Sequence, residues 1–262
     1  GEKMLKKLAL AAAVAATSSF ATYTYFPVGE NHTGQVEAGI MYLAPDDASV
    51  MQIVVGGEYV VIPNLAIGLT GVGYQLWAES DDCDDDCPDS DGLKALTLGA
   101  RYWFLPNVGV ALDVSLPLNG EHTLSAPDYD PIGFYGAVQF SQAFMPELIL
   151  GAEAGISYKL EDEKTSEGLG LKVQAELDYV ISSIGLVPWF GASFDMRISD
   201  VEYDGHDGYG SGDNTVLIWV GASYSINQMF AVKGNFLMNF AGDNNSLGSD
   251  WIGFNLKGVV KF

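Results

Sequence analysis

Two cysteines, three histidines and twelve basic side chains are all that this chain of 262 residues offers to several common kinds of chemistry. Against those bases stand 34 acidic side chains, a formal charge of −22. A surface of that sign repels a phosphate backbone, so nucleic acid is excluded as a partner. A zinc site has too few ligands: Cys83 and Cys87 have no histidine or further cysteine nearby. No apolar run reaches the roughly 20 residues that a membrane helix requires. Disorder is excluded as well, because 48% of the residues are apolar, 12% aromatic and only 18% charged. What remains in abundance is 31 glycines with 13 tyrosines and 13 phenylalanines, a composition that favours sheet.

The N-terminus reads as a secretory signal peptide over residues 1–21. Lys6 and Lys7 precede an apolar run from Leu8 to Ala16, and Ser19-Phe20-Ala21 fits the small-x-small rule for cleavage after Ala21. Met4 fits the translational start. Residues 22–33 are then expected as a short N-terminal periplasmic segment and residues 34–262 as one domain.

From residue 34 the chain repeats segments of ten to fourteen residues in which apolar and polar or small residues alternate, the period of a strand. Twelve strands are expected, at 34–43, 50–62, 65–77, 93–104, 108–118, 132–144, 148–160, 168–181, 184–198, 215–226, 229–241 and 251–262. Their connections alternate in kind. Short breaks such as Pro63-Asn64, Pro106-Asn107, Pro146-Glu147, Ser182-Ser183 and Asn227-Gln228 suit tight turns. Between them fall longer polar segments, 45–49, 79–92, 119–131, 161–167, 199–214 and 242–250, which hold 24 of the 34 acids. One end of the sheet thus carries turns and the other loops, the segregation of a membrane barrel.

Strand faces agree. In the last segment Ile252, Phe254, Leu256, Val260 and Phe262 share one face, while Trp251, Asn255, Lys257 and Lys261 share the other. Segments 148–160, 168–181 and 229–241 repeat the division. An apolar face turned inward would leave a ring of twelve strands with a dry void; turned outward it meets lipid, and the polar face lines a hydrated lumen. Segment 65–77 breaks the pattern, since Leu65, Ile67 and Leu69 compete with Val72, Tyr74 and Leu76, which signals a bulge or a misplaced boundary.

On these residues the chain resembles the porin-like outer-membrane β-barrel class of Gram-negative-type bacteria, over residues 34–262. The most specific element is the terminal strand, where Phe262 follows Phe254, Leu256, Gly258 and Val260 at alternate positions, similar to the signal read by the barrel-assembly machinery. The resemblance implies an all-β, up-and-down transmembrane barrel of about twelve strands in the bacterial outer membrane, with lipid and lipopolysaccharide as its surroundings. Tyr42, Trp77, Tyr158 and Trp251 at the loop end, and Phe104, Phe144, Tyr179 and Phe230 at the turn end, resemble the two interfacial girdles.

Chemistry is sparse. His32, His122 and His206 lie far apart in this topology and no Ser stands beside a His on a strand; His122 and Ser125 share a loop but no third group fixes them. The expectation is therefore no enzyme. Inward positions include Glu37, Glu58, Arg101, Asp113, Glu153, Lys172, Glu176, Asp178, Asp195, Arg197, Lys233, Lys257 and Lys261. The three lysines cluster on the last two strands and Glu153, Glu176 and Asp178 on the seventh and eighth, across the ring, while Arg101 and Asp113 lie within diagonal reach over one turn. Segment Glu79–Gly92 holds eight acids and resembles aspartate-rich calcium repeats. Asp84, Asp86, Asp89 and Asp91 would supply oxygen ligands to Ca2+ without completing an EF-hand loop. Cys83 and Cys87 are expected to form a disulfide after export. Two functions survive, a narrow channel for small hydrophilic solutes or ions of unspecified identity, and a closed structural or surface-binding barrel with cation-binding acidic loops.

Overall fold

The computed structural model describes residues 32–45, 48–80, 92–93, 96–116, 132–160, 165–166, 168–200, 202–203, 210–241 and 250–262. Twelve long strands follow one another: β1 Gly34–Pro45, β2 Ala48–Ile62, β3 Leu65–Ser80, β4 Leu96–Leu105, β5 Val108–Leu116, β6 Gly133–Met145, β7 Leu148–Lys159, β8 Gly168–Tyr179, β9 Leu186–Arg197, β10 Asn214–Ser225, β11 Phe230–Ala241 and β12 Trp251–Lys261. Each pairs antiparallel with its neighbours in sequence, and β1 pairs with β12 from Gln35↔Lys261 to Pro45↔Trp251, so the sheet closes into a barrel. Closure satisfies every strand edge, which a bilayer demands because no water reaches an open edge there. Three short strand pieces lie on the loop side. Gly92–Leu93 pairs with β3, and Thr165–Ser166 pairs with Glu202–Tyr203.

Turn chemistry fixes the opposite end. Asn64 takes a left-handed conformation (φ 68°) in the β2–β3 turn, as its short polar side chain allows. Gly185 does the same (φ 66°) between β8 and β9. That turn is longer than the Ser182-Ser183 pair expected, because a bridge between Ile181 and Leu186 closes a four-residue loop. Between β10 and β11, Asn227 Oδ1 accepts the backbone N–H groups of Met229 and Phe230 at 2.8 Å each. The two ends of the barrel sequence are stitched together, with Gly34 N–H donating to Phe262 O (2.8 Å) and Phe262 N–H to Gly34 O (3.0 Å).

The discord in β3 is a bulge. Opposite β2, Gly57 faces Leu69 and Val55 faces Val72, so β3 spends one extra residue at Thr70-Gly71. Because side chains alternate with period two, one extra residue exchanges the faces. Ile67 points out before the bulge, and Tyr74 and Leu76 point out after it, with Gln75 turned in. The fourth strand begins at Leu96 and not at residue 93, since Leu93 belongs to the separate piece paired with β3.

The outer face is apolar throughout. Leu112, Val138, Phe144, Ile156, Phe190, Ile226 and Ile252 are each more than half exposed, an apolar surface no water-borne monomer sustains. Tyr158, Phe104, Phe144, Tyr179 and Phe230 lie exposed near the strand ends, and Tyr42 packs against Phe254 on the same surface with ring centroids 5.6 Å apart. Trp251 departs from the expected girdle. It is 4% exposed and points inward, because it shares the period-two face of Asn255 and Lys257 on β12. The side chain of Trp77 lies outside the described residues.

Candidate functional site

Among the described residues the lumen gathers the buried charged side chains, and its wall has two characters. Met41, Leu43, Val50, Val54, Leu217, Trp219, Leu237 and Trp251, toward the loops, form one buried apolar cluster that Trp189 joins from nearer the turn end of β9. These residues stand on β9–β12, β1 and β2, contiguous around one side of the ring. They form an apolar collar that was not expected. Its signal in the sequence is a run apolar on both faces, such as Ile53-Val54-Val55 or Val216-Leu217-Ile218-Trp219-Val220: outward residues meet lipid while their neighbours fill the collar.

Glycines let the indoles lie against the wall. A Cβ on Gly191 would come within 2.2 Å of the Trp219 ring, one on Gly221 within 2.6 Å of Trp189, and one on Gly109 within 2.9 Å of Trp103. Each ring therefore lies across a neighbouring strand. Trp219 reaches two strands over, where its Nε1–H donates to Glu176 Oε2.

Toward the turns the wall is charged. Glu37 is 2% exposed and receives two ammonium groups, Lys257 Nζ at 2.7 Å and Lys233 Nζ at 3.4 Å. Lys233 and Lys257 are register partners on β11 and β12, and Glu37 reaches both from β1. Arg101 on β4 holds Asp113 on β5 through two bonds of 2.6 and 3.0 Å, a bidentate pair. At Glu153, Tyr135 Oη, Gln139 Nε2 and Gln174 Nε2 donate to the two carboxylate oxygens at 2.6, 2.6 and 2.7 Å. Gln139 and Gln174 are its direct register partners on either side, so three adjacent strands converge on one carboxylate. Glu58 on β2 and Asp178 on β8 complete the belt, with Lys233 among the electrostatic partners of Glu58, Glu176 and Asp178. Six carboxylates thus share the belt with three bases, Arg101, Lys233 and Lys257. At the loop end Lys172 and Asp195, directly opposed on β8 and β9, lie 3.4 Å apart.

The inward placements differ in two respects from the expected transverse field. Glu37 sits between two of the lysines, so that wall is partly neutralised. Lys261 is exposed at the turn-side rim and not within the lumen. Phe254, Leu256, Val260 and Phe262 all face outward on or just after β12. Asp84, Asp86, Asp89, Asp91, Cys83 and Cys87 lie outside the described residues, as do His122, Ser125, His206 and the segment 1–31. His32 is described, and its Nδ1 lies 3.2 Å from the Tyr59 hydroxyl.

No protein-family model matches the sequence, and no curated protein matches it. Among solved structures the fold is similar to that of an outer membrane channel from Pseudomonas putida F1, with a TM-score of 0.75 at 11% identity over 92% of this chain and 99% of that one. It is also similar to the NanC porin (TM-score 0.56, 8% identity, 86% and 98% covered). The translocator domain of the autotransporter NalP from Neisseria meningitidis shares it too (TM-score 0.53, 12% identity, 95% and 92% covered). The closed ring, its apolar outer belt and these likenesses define an outer-membrane β-barrel of twelve strands. Channels and a translocator both use this architecture, so what the lumen does must be argued from its own wall.

Proposed function

We propose that this barrel is a narrow, porin-like channel for small hydrophilic solutes or ions. The observation that carries the reading is the belt of six carboxylates and three bases inside a closed ring. Charges taken out of bulk water are costly unless paired or hydrated, and a hydrated lumen is what a solute path requires. The apolar collar in series with the belt narrows the path, as hydrophobic constrictions do in other pores. Excess acid in the belt and 24 carboxylates in the loop segments both favour cations. We read the barrel as non-catalytic, and its surroundings as outer-membrane lipid and lipopolysaccharide. The segment Glu79–Gly92 is proposed as a weak Ca2+ site on the outer side.

Single-channel recording in a planar bilayer tests this directly. Reversal potentials in a salt gradient should show modest cation preference, fading as the Debye length shrinks from about 30 Å at 0.01 M to about 10 Å at 0.1 M salt. Anion preference would contradict the charge argument. Zero conductance would establish the closed barrel instead.

A further inference from the structure

An inward tyrosine on β6 lies along the wall of the lumen, and a carboxylate holds its tip. Tyr135 stands opposite Ser157 on β7, Ala137 opposite Gly155, and Gln139 opposite Glu153, so two inward steps separate Tyr135 from Glu153. The ring bridges that interval. A Cβ on Gly155 would come within 2.6 Å of both Cζ and Oη of Tyr135, so the ring runs over the bare backbone of this glycine. Its hydroxyl then donates to Glu153 Oε1 at 2.6 Å. Gln174 Nε2 donates to the same oxygen at 2.7 Å and Gln139 Nε2 to Oε2 at 2.6 Å, which fixes the carboxylate from the strands on both sides.

Burial separates the parts of this cluster. Glu153 is 4% exposed and Gly155 is buried, whereas Tyr135 is only half-buried. One side of its ring rests on the wall and the other faces the lumen. Trp219 offers a comparison: it lies over Gly191 and gives its N–H to Glu176, but at 1% exposure it is packed all round within the collar. Tyr135 has room to move. Rotation about its Cα–Cβ bond to another staggered position lifts the ring off the wall, and a ring standing in a path already narrowed by the collar obstructs it. A hydrogen bond to an ionised acceptor, about twice as strong as one between neutral groups, opposes that rotation. Resting on the reading of the lumen as a solute path, we propose that Glu153 is a positioning residue that latches the Tyr135 ring flat over Gly155 and so keeps the path clear. Gln139 and Gln174 hold the acid, the acid holds the hydroxyl, and the glycine gives the ring its place.

Two variants that leave every charge in place test the latch in single-channel recordings, which read folded, inserted barrels one at a time. Tyr135→Phe keeps the ring and removes the hydroxyl. Losing a hydrogen bond to a charged group should raise the fraction of time spent in brief closed or reduced-current states at least about tenfold. Tyr135→Ala removes the ring, so those closures should fall below the parent's and the unit conductance should rise. Glu153→Ala should flicker as Tyr135→Phe does, and adding Tyr135→Ala to it should abolish the flicker although the carboxylate is still missing. A merely structural role for the cluster moves both Tyr135 variants in the same direction. Closures in Tyr135→Phe no more frequent than in the parent, a lower unit conductance in Tyr135→Ala, or flicker that persists in the double variant would each overturn the latch. Should Tyr135→Ala fail to fold, Tyr135→Phe, which deletes a single oxygen, decides alone. A parent that conducts beside variants that match it refutes the latch and keeps the channel; a parent without current refutes the channel, and the latch with it.

Discussion

Glu37→Gln is the most informative single substitution in the lumen, because one carboxylate serves two buried ammonium groups. At an effective dielectric near 20, unit charges 2.7 and 3.4 Å apart attract by about 6 and about 5 kcal/mol. Most of that offsets the cost of taking three ions out of bulk water. Deleting one partner of a buried ion pair costs about 3–5 kcal/mol, because the other charge stays behind. Water in the lumen places this site at the low end, so a loss of about 3 kcal/mol is expected. The cause should be specific. Lys233 and Lys257 are directly opposed across strands, and without Glu37 they become a like-charge pair, which is destabilising. Adding Lys257→Gln to Glu37→Gln should therefore restore a large part of the loss. Urea unfolding of barrels refolded into lipid vesicles, followed by tryptophan emission, measures both variants. In bilayers the single variant should also show a weaker cation preference, since the belt drops from six carboxylates to five against three bases. A loss under about 0.5 kcal/mol, or a double variant no more stable than the single one, would refute the idea that Glu37 holds the two lysines together.

Leu256 lies at the middle of β12 with its side chain 51% exposed toward lipid, so Leu256→Arg should cost about 2–4 kcal/mol and reduce the heat-modifiable folded band on gels; wild-type levels of that band would contradict the register. Gly191→Ala forces the Trp219 ring off its place and off Glu176, for an expected loss of about 1–3 kcal/mol. Gly136→Ala, whose Cβ would meet nothing within 4 Å on the lipid side, is the matched neutral control in the same unfolding assay. Calcium at the segment Glu79–Gly92 should bind with a Kd of about 10⁻⁴–10⁻³ M, and calorimetric heat unchanged by converting Asp84, Asp86, Asp89 and Asp91 to Asn would place the ion elsewhere.

Alternation along each segment carried the fold, because a strand between lipid and water must repeat with period two. Even the bulge in β3 was announced by two apolar sets competing for one face. Within the lumen, legibility followed the length of the connection. Arg101 and Asp113 flank a tight turn that fixes their register, so their pairing could be read from sequence. Glu37 meets Lys257 across 220 positions, at a seam whose register depends on how the whole ring closes; no local pattern encodes it. The collar was missed for a different reason. An inward Leu217 or Leu237 is invisible when polar character is taken as the mark of a lumen, and it emerges only where both faces of a strand are apolar.

Those two unread features bear on each other at the seam between β1 and β12. There a Cβ on Gly39 would lie 2.0 Å from Leu256 O, so the first and last strands approach with no room for a side chain. Leu43, which packs near Gly253, belongs to the collar. Glu37, two residues before Gly39 on β1, and Lys257, the register partner of Gly39 on β12, belong to the belt. Docking of β12 onto β1 therefore completes the apolar collar and the ion pair in the same event. Its outward face meanwhile presents Phe254, Leu256, Val260 and Phe262 to lipid. A lipid-facing charge on β12 and a charge removed at Glu37 act on opposite faces of one seam: the first penalises insertion, and the second penalises only the barrel that has already closed.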